Sequence, residues 1–271
     1  MWSRWWLQWR TRREDAAVAR RAIADDLWKR TLVRYPFLAR KDALDTQELR
    51  RLTSLFLDRK EFSTSGGLQL TDAMAVAIAA QACLPVLRLG LQSYDGFVGI
   101  VVHPDQVLAQ REVADADGVV HAYDELLAGE AMQGGPVMLS WPDVRLGGSS
   151  AVGAVLRGYN VVIHEFAHVL DMANGTPDGV PLLPPELSVK EWRQTLAREL
   201  DRFRTQVHAG VDTALDPYGT QGDEEFFAVA SESFFVAPQG MLAEHPALYA
   251  LFKRYYRQDP LLETAASTRR A

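Results

Sequence analysis

Five consecutive residues carry most of the chemistry in this chain: His164, Glu165, Phe166, Ala167 and His168. On a helix, positions i and i+4 lie about one turn apart on the same face, so His164 and His168 can both aim an imidazole nitrogen at one metal ion. Glu165 sits about 100° further round. That suits it to the water on the metal better than to the metal itself. Two nitrogen ligands and a general base on one turn make a site for metal-assisted hydrolysis, with a single Zn2+ as the expected ion. With 6 histidines in 271 residues, the pattern arises by chance on the order of once in a hundred such chains.

Two histidines do not hold a catalytic zinc, which takes three protein ligands and leaves a fourth position for water. The chain lacks the continuation that would supply a third histidine nearby, because Asp171 and Asn174 stand where that pattern wants Gly and His. The third ligand is therefore sought in a downstream glutamate. The stretch from Tyr218 to Phe235 reads as a helix with carboxylates set among aromatic residues. Along it Glu225, Ala228, Val229 and Glu232 share a face, while Phe226, Phe227 and Phe234 turn elsewhere. Carboxylates on so apolar a face are costly unless paired or metal-bound. Glu225 is the candidate third ligand and Glu224, about 100° away, the alternative. Glu232, or Asp171 at i+7 from His164, would then hold the free N–H of a ligand histidine.

The elements that must position these residues are legible as patterns. Asn160 is the expected N-cap of the motif helix, Val161 to Ile163 its buried entry and Asn174-Gly175 its C-terminal stop. Helical spacing recurs from Ala16 to Tyr35, ended by Pro36, from Thr46 to Phe62, and from Glu191 to Val207 with Glu199 and Asp201 expected to face solvent. Thr71-Asp72 caps a largely buried helix running to Cys83. Phe97 to Val102 and Pro136 to Trp141 read as strands, and the second could pair with an extended substrate backbone or lie inside a sheet. Arg111 to Gly135 reads as a hairpin and loop, in which His103 before it and His121 within it are isolated and expected to be ordinary polar residues. Gly147 to Ser150 is a flexible link, and Thr176 to Pro185 either an ordered loop near the site or a mobile lid.

Composition bounds the rest. A net charge of −6 with 48% hydrophobic residues describes a globular chain and argues against a nucleic-acid binder, which would show a basic face. The longest apolar run, Ala73 to Ala82, is too short to span a membrane. One cysteine, Cys83, permits no internal disulfide, so a cytoplasmic location is expected and Asn174-Gly175-Thr176 is an idle glycosylation sequon. Trp2, Trp5, Trp6 and Trp9 recur at helical spacing among arginines. That face would either dock on the body of the protein or touch a membrane surface.

The sequence resembles the Mlc titration factor A family of zinc peptidases, and in motif the catalytic domain of anthrax lethal factor. The resemblance is carried by Tyr35-Pro36-Phe37-Leu38, Gln81 to Leu87, Leu89-Gly90-Leu91, Gly135 to Trp141, the motif helix through Gly175, and Glu225 to Val229, and spans Trp28 to Pro260. It implies that His164, His168 and Glu225 bind zinc, that Glu165 is the base and that Tyr218 donates to the oxyanion. It further implies a cytosolic aminopeptidase-like activity on peptide substrates, and in one member the binding of the Mlc repressor. The Trp-rich start departs from the family pattern. The expected architecture is α+β, mostly helical: a zincin-like core with a small sheet beside the active-site helix. A Trp/Arg-rich segment at 1–15 would precede a peptidase domain at 16–262, with a disordered tail at 263–271.

Overall fold

A computed structural model describes residues 2–114, 120–147, 158–175 and 177–262, the side chains of 2–10, 108–114 and 120–126 excepted. Cap chemistry sets where the helices start. Asp42 accepts from the Asp45 N–H at 2.8 Å to open α3 (Ala43–Arg59), and Thr71 accepts from the Met74 N–H at 3.3 Å to open α4 (Asp72–Cys83). Before them stand α1 (Trp2–Arg20) and α2 (Asp25–Arg34), so the helical pattern breaks at Arg21–Ala24 and not at Asp15. The tryptophans of α1 fall on side chains outside the described residues.

The expected helix to Phe62 stops at Arg59. Lys60 turns to extended dihedrals, its N–H closes on Phe56 O, and Glu61–Thr64 becomes strand β1. Phe62 was in phase with the helix in sequence but packs from a strand. Strand β2 (Gly99–His103) lies parallel to β1, with Glu61 opposite Gly99. Strands β3 (Val107–Ala114) and β4 (Val120–Leu127) form a separate antiparallel hairpin, its connecting residues 115–119 lying outside the described residues. The chain then adds β5 (Gly129–Ala131) and β6 (Val137–Ser140), giving a four-stranded sheet in the order β1, β2, β6, β5. β6 is therefore interior, parallel to β2 and antiparallel to β5. The short β5 is the edge strand on that side.

Short helix α5 (Trp141–Leu146) leads toward α6 (Val161–Asp171), which follows residues 148–157, outside the described set. α6 packs on α8 (Asp223–Val236), on β5 and β6, and on α4. Phe166 anchors its buried side in an aromatic cluster, 5.0 Å from the Tyr94 ring and 5.5 and 5.6 Å from Phe97 and Phe56. Helix α7 (Val189–His208) and the closing pair α9 (Pro238–Glu244) and α10 (Pro246–Tyr256) cover α8. Trp192 of α7 stacks on Phe252 at 5.7 Å, and Phe227 of α8 meets both rings. The fold is α+β and mostly helical, and none of its described helices is long and apolar enough to cross a membrane.

Glu199 overturns its expected exposure. It is 5% exposed and accepts from, or donates to, His245 Nδ1 at 3.0 Å, both groups buried beside Phe203. Its position on α7 is in register with Trp192, Leu196 and Phe203, so the apolar stripe carried it inward, and the partner lies 46 residues on. Asp201 is exposed as expected.

Candidate metal centre

Why residues 161–171 form a helix is local chemistry. Asn160 Oδ1 accepts from the Ile163 N–H at 2.9 Å, Val161, Val162 and Ile163 are buried, and Gly175 ends the segment in the left-handed region at φ 104°. The polar exceptions on this buried helix are the motif residues and Asp171. Helix α8 starts with Asp223, Glu224 and Glu225 in its first turn, where the helix dipole favours carboxylates. Packing of α6 on α8 then brings the two segments together.

His164 Nε2 and His168 Nε2 stand 3.1 Å apart, and Glu225 Oε2 lies 3.1 Å from the first and 3.5 Å from the second. One donor atom from each of the three residues falls within 4.8 Å of the others. Glu224, the alternative, instead folds back over Gly222 at the helix start. His164 Nδ1 donates to Glu232 Oε1 at 2.8 Å, which in the neutral ring leaves the lone pair on Nε2, the nitrogen facing His168 and Glu225. Glu232 also accepts from the Asn160 N–H, and Asn160 Nδ2 donates to Gln81 Oε1 at 2.7 Å. A chain of buried hydrogen bonds thus runs from α4 through the helix cap to the His164 ring. Asp171 does not join it: its Oδ2 accepts from the Gly179 N–H at 2.8 Å.

The electrostatics favour a cation at this point. Burial works against ionisation of both His164 and Glu225. For His164 the carboxylates of Glu225 and Glu232 outweigh that cost and push the imidazole well up, and for Glu225 the two imidazoles outweigh it and hold the carboxyl well below its usual range. Glu225 Oε2 is buried yet has no donor in hydrogen-bonding geometry, although two ring nitrogens are near it. A buried acceptor left without a donor beside two converging ring nitrogens, among carboxylates that favour positive charge, is an arrangement a divalent metal satisfies in place of a proton. These residues fit such an ion.

Glu165 is 4% exposed, and burial raises its carboxyl, with His164 and His168 working the other way. It faces a cleft of about 270 Å³ whose walls include Leu127, Gly129, Tyr159, Val161, Tyr218 and Val229. Tyr218 sits on a 3-10 turn, Pro217–Thr220, opened by Asp216 accepting from the Tyr218 N–H at 3.0 Å. Its ring is 5.9 Å from that of His164 and is 36% exposed, at the mouth of the same cleft. The structure thus gathers Glu165, Tyr218, His164, His168 and Glu225 at one place. His103 lies elsewhere, its Nδ1 2.6 Å from Ser65 Oγ, and the side chain of His121 is outside the described residues.

Sequence reasoning missed Gly129. A Cβ added there would lie 2.6 Å from Glu165 Oε1. No spacing rule announces it, because the contact joins a three-residue strand to a helix 36 residues on.

Comparison with known proteins meets this geometry from outside. Residues 6–257 match the model of the glucose-regulated metallo-peptidase M90 family. The chain is 34% identical over 260 residues to an uncharacterised protein of Synechocystis sp., covering 95% of this chain and 91% of that one. It is 37% identical over 229 residues to Mlc titration factor A of Pectobacterium atrosepticum, covering 83% and 84% of the two chains. With Mlc titration factor A of Klebsiella pneumoniae the identity is 34% over 237 residues, covering 86% of each. A histidine pair and a distant glutamate converging on one point is what a metal-dependent peptidase requires, and the match running through both segments makes this chain a member of the M90 metallopeptidase family, to which it is joined by the Mlc titration factor A proteins.

Proposed function

We propose that the protein is a zinc-dependent peptidase with a zincin-like core, acting as an aminopeptidase on small peptides. The observation that carries the reading is the convergence of His164 Nε2, His168 Nε2 and Glu225 Oε2 within 4.8 Å, with Glu165 beside them on the same helix turn. His164, His168 and Glu225 would hold the ion. When bound, zinc supplies a Lewis acid and brings the pKa of a water toward about 7.

The chain's own residues do the rest. Glu232 keeps the His164 proton on Nδ1 and so keeps Nε2 available. Glu165, buried and with its carboxyl raised by that burial, takes the proton of the attacking water and returns it to the leaving amine. The Tyr218 phenol donates to the oxygen of the scissile carbonyl as it gains charge. The apolar cleft walls exclude bulk water from the carboxylate. As the last strand in the sheet order, β5 rather than interior β6 is the one placed to pair with an extended peptide. A reducing cytosol fits the single buried thiol of Cys83.

The test is metal analysis of the purified protein beside hydrolysis of amino-acid anilides and internally quenched peptides, with and without chelator. Chelator-sensitive release from the anilides supports the assignment. One equivalent of zinc with no turnover on any peptide overturns it. That outcome favours a second reading, suggested by the name of the relatives: a regulator that binds a repressor of the Mlc type, measured as calorimetric binding of purified repressor.

A further inference from the structure

Glu165 is 4% exposed and its side chain lines the cleft next to the edge strand. The nearest constraint is the edge strand: a Cβ on Gly129 would fall 2.6 Å from Glu165 Oε1, 2.7 Å from Cγ and 2.8 Å from Cδ. These distances are far inside van der Waals separation, and they involve the whole end of the side chain and not just a mobile tip. Gly129 does not need to be glycine for its own backbone, since its φ is not among the positive values of the chain. Its ladder pairing with Leu139 is that of an ordinary antiparallel strand residue. Among the described residues, the three atoms nearest such a Cβ all belong to Glu165, so space for its side chain is what demands glycine there.

We infer that Gly129 is a positioning residue, and that the bare backbone of β5 is the seat against which the base is held. The inference rests on the peptidase reading for its kinetic consequence, but the seat itself is a statement about where one carboxylate stands. The backbone of β5 is fixed in turn, because Ala128 O accepts from the Ser140 N–H at 2.7 Å and Gly129 pairs with interior strand β6. A side chain at 129 cannot be relieved by moving the strand, so Glu165 must move. The metal ligands lie on other faces: His164 and His168 point to α8, and Glu225 comes from it. Displacement of the base should therefore leave metal binding intact.

The experiment is Gly129→Ala in the full chain, with three readouts. Zinc affinity by competition with a chromophoric chelator is expected to stay within about three-fold of the wild type, whereas loss of a group that directly supports a ligand costs about 10–100-fold. kcat on an anilide substrate is expected to fall on the order of a hundred-fold, as for an ångström-scale misplacement of a reacting group, with KM little changed. The affinity of the zinc-loaded protein for a peptide hydroxamate, whose hydroxyl the base holds, should fall in parallel. Combining Gly129→Ala with Glu165→Asp, whose shorter carboxylate withdraws from the added methyl, should give a loss smaller than the product of the two single losses. Unchanged kcat and hydroxamate affinity would overturn the inference, as would zinc affinity falling in step with activity, which would make residue 129 a general packing position. If the wild type hydrolyses nothing, the peptidase reading fails, and the hydroxamate and zinc measurements still decide the role of Gly129.

Discussion

Three carboxylates surround His164, and each is held differently. Glu225 faces Nε2, Glu232 accepts the hydrogen bond from Nδ1–H, and Glu165 lies against the backbone of β5. Their substitutions should therefore separate. Glu165→Gln is expected to keep zinc and lose about 10²–10⁴-fold in kcat, the usual worth of a positioned base. His168→Ala should lose both metal and turnover. Metal content and anilide hydrolysis of the two variants check this, and retained turnover in Glu165→Gln would remove that residue from the mechanism. Glu232→Ala should leave the ligand set intact but weaken zinc about 10–100-fold, because the ring loses its orienting acceptor. Titration against a chromophoric chelator measures it, and an unchanged affinity would mean that packing alone fixes the imidazole.

At the scale of elements, the loop after α6 is tied down on three sides at Gly179 and Val180. Asp171 of α6 accepts from the Gly179 N–H, Trp192 of α7 donates to Gly179 O at 2.7 Å, and Asn174 donates to Val180 O at 2.6 Å. Gly179 has φ 72°, and a Cβ there would meet Asp223 O at 2.6 Å, so the loop also touches the first residue of α8. Of the two expectations for this segment, the described residues have the contacts of an ordered loop. Asp171 is the fully buried carboxyl among the groups that tie this loop, and burial, with Asp178 nearby adding to it, pushes it up to about 6 from 3.8. A carboxyl raised in the folded state costs stability as it ionises, so the penalty is absent below about pH 4 and fully present above about pH 6. Asp171→Asn should flatten this part of the profile. The wild type is expected to lose up to about 3 kcal/mol relative to the variant across that window. Urea unfolding of metal-free protein at several pH values between 4.5 and 7 tests it, and parallel profiles for the two proteins would contradict it.

The helices that carry the site were readable because their signals are local: Asn160 caps three residues ahead, and the face shared by Glu225 and Glu232 follows from the helical period alone. What escaped depends on distant partners. β1 and β5 are four and three residues long, too short to show alternation, and each exists only because a neighbouring strand pairs with it. Glu199 is polar by type but lies on an apolar stripe, and its partner His245 becomes visible only when α7 meets the start of α10.

For the whole molecule, the site joins α6 to α8 through a single point, and α8 is in turn enclosed by α7, α9 and α10. A ligand that binds the folded state alone stabilises it in proportion to its saturation. At free zinc a thousand-fold above Kd, the gain is about 4 kcal/mol, which is roughly 10 °C in Tm for a chain of this size. Chelation should lower Tm by that order and re-addition of zinc restore it. A Tm indifferent to metal would mean that the ion does not bind these ligands in the fold.

The wide spacing of the ligands along the chain sets an order of events during synthesis. His164 and His168 leave the ribosome together, but Glu225 follows only after α7. On the proposed ligand set, a nascent polypeptide halted within α7 would hold two of the three donors and would not retain the ion as the finished chain would. On that reading metal capture waits for α8, which carries the last of the three donors to be made.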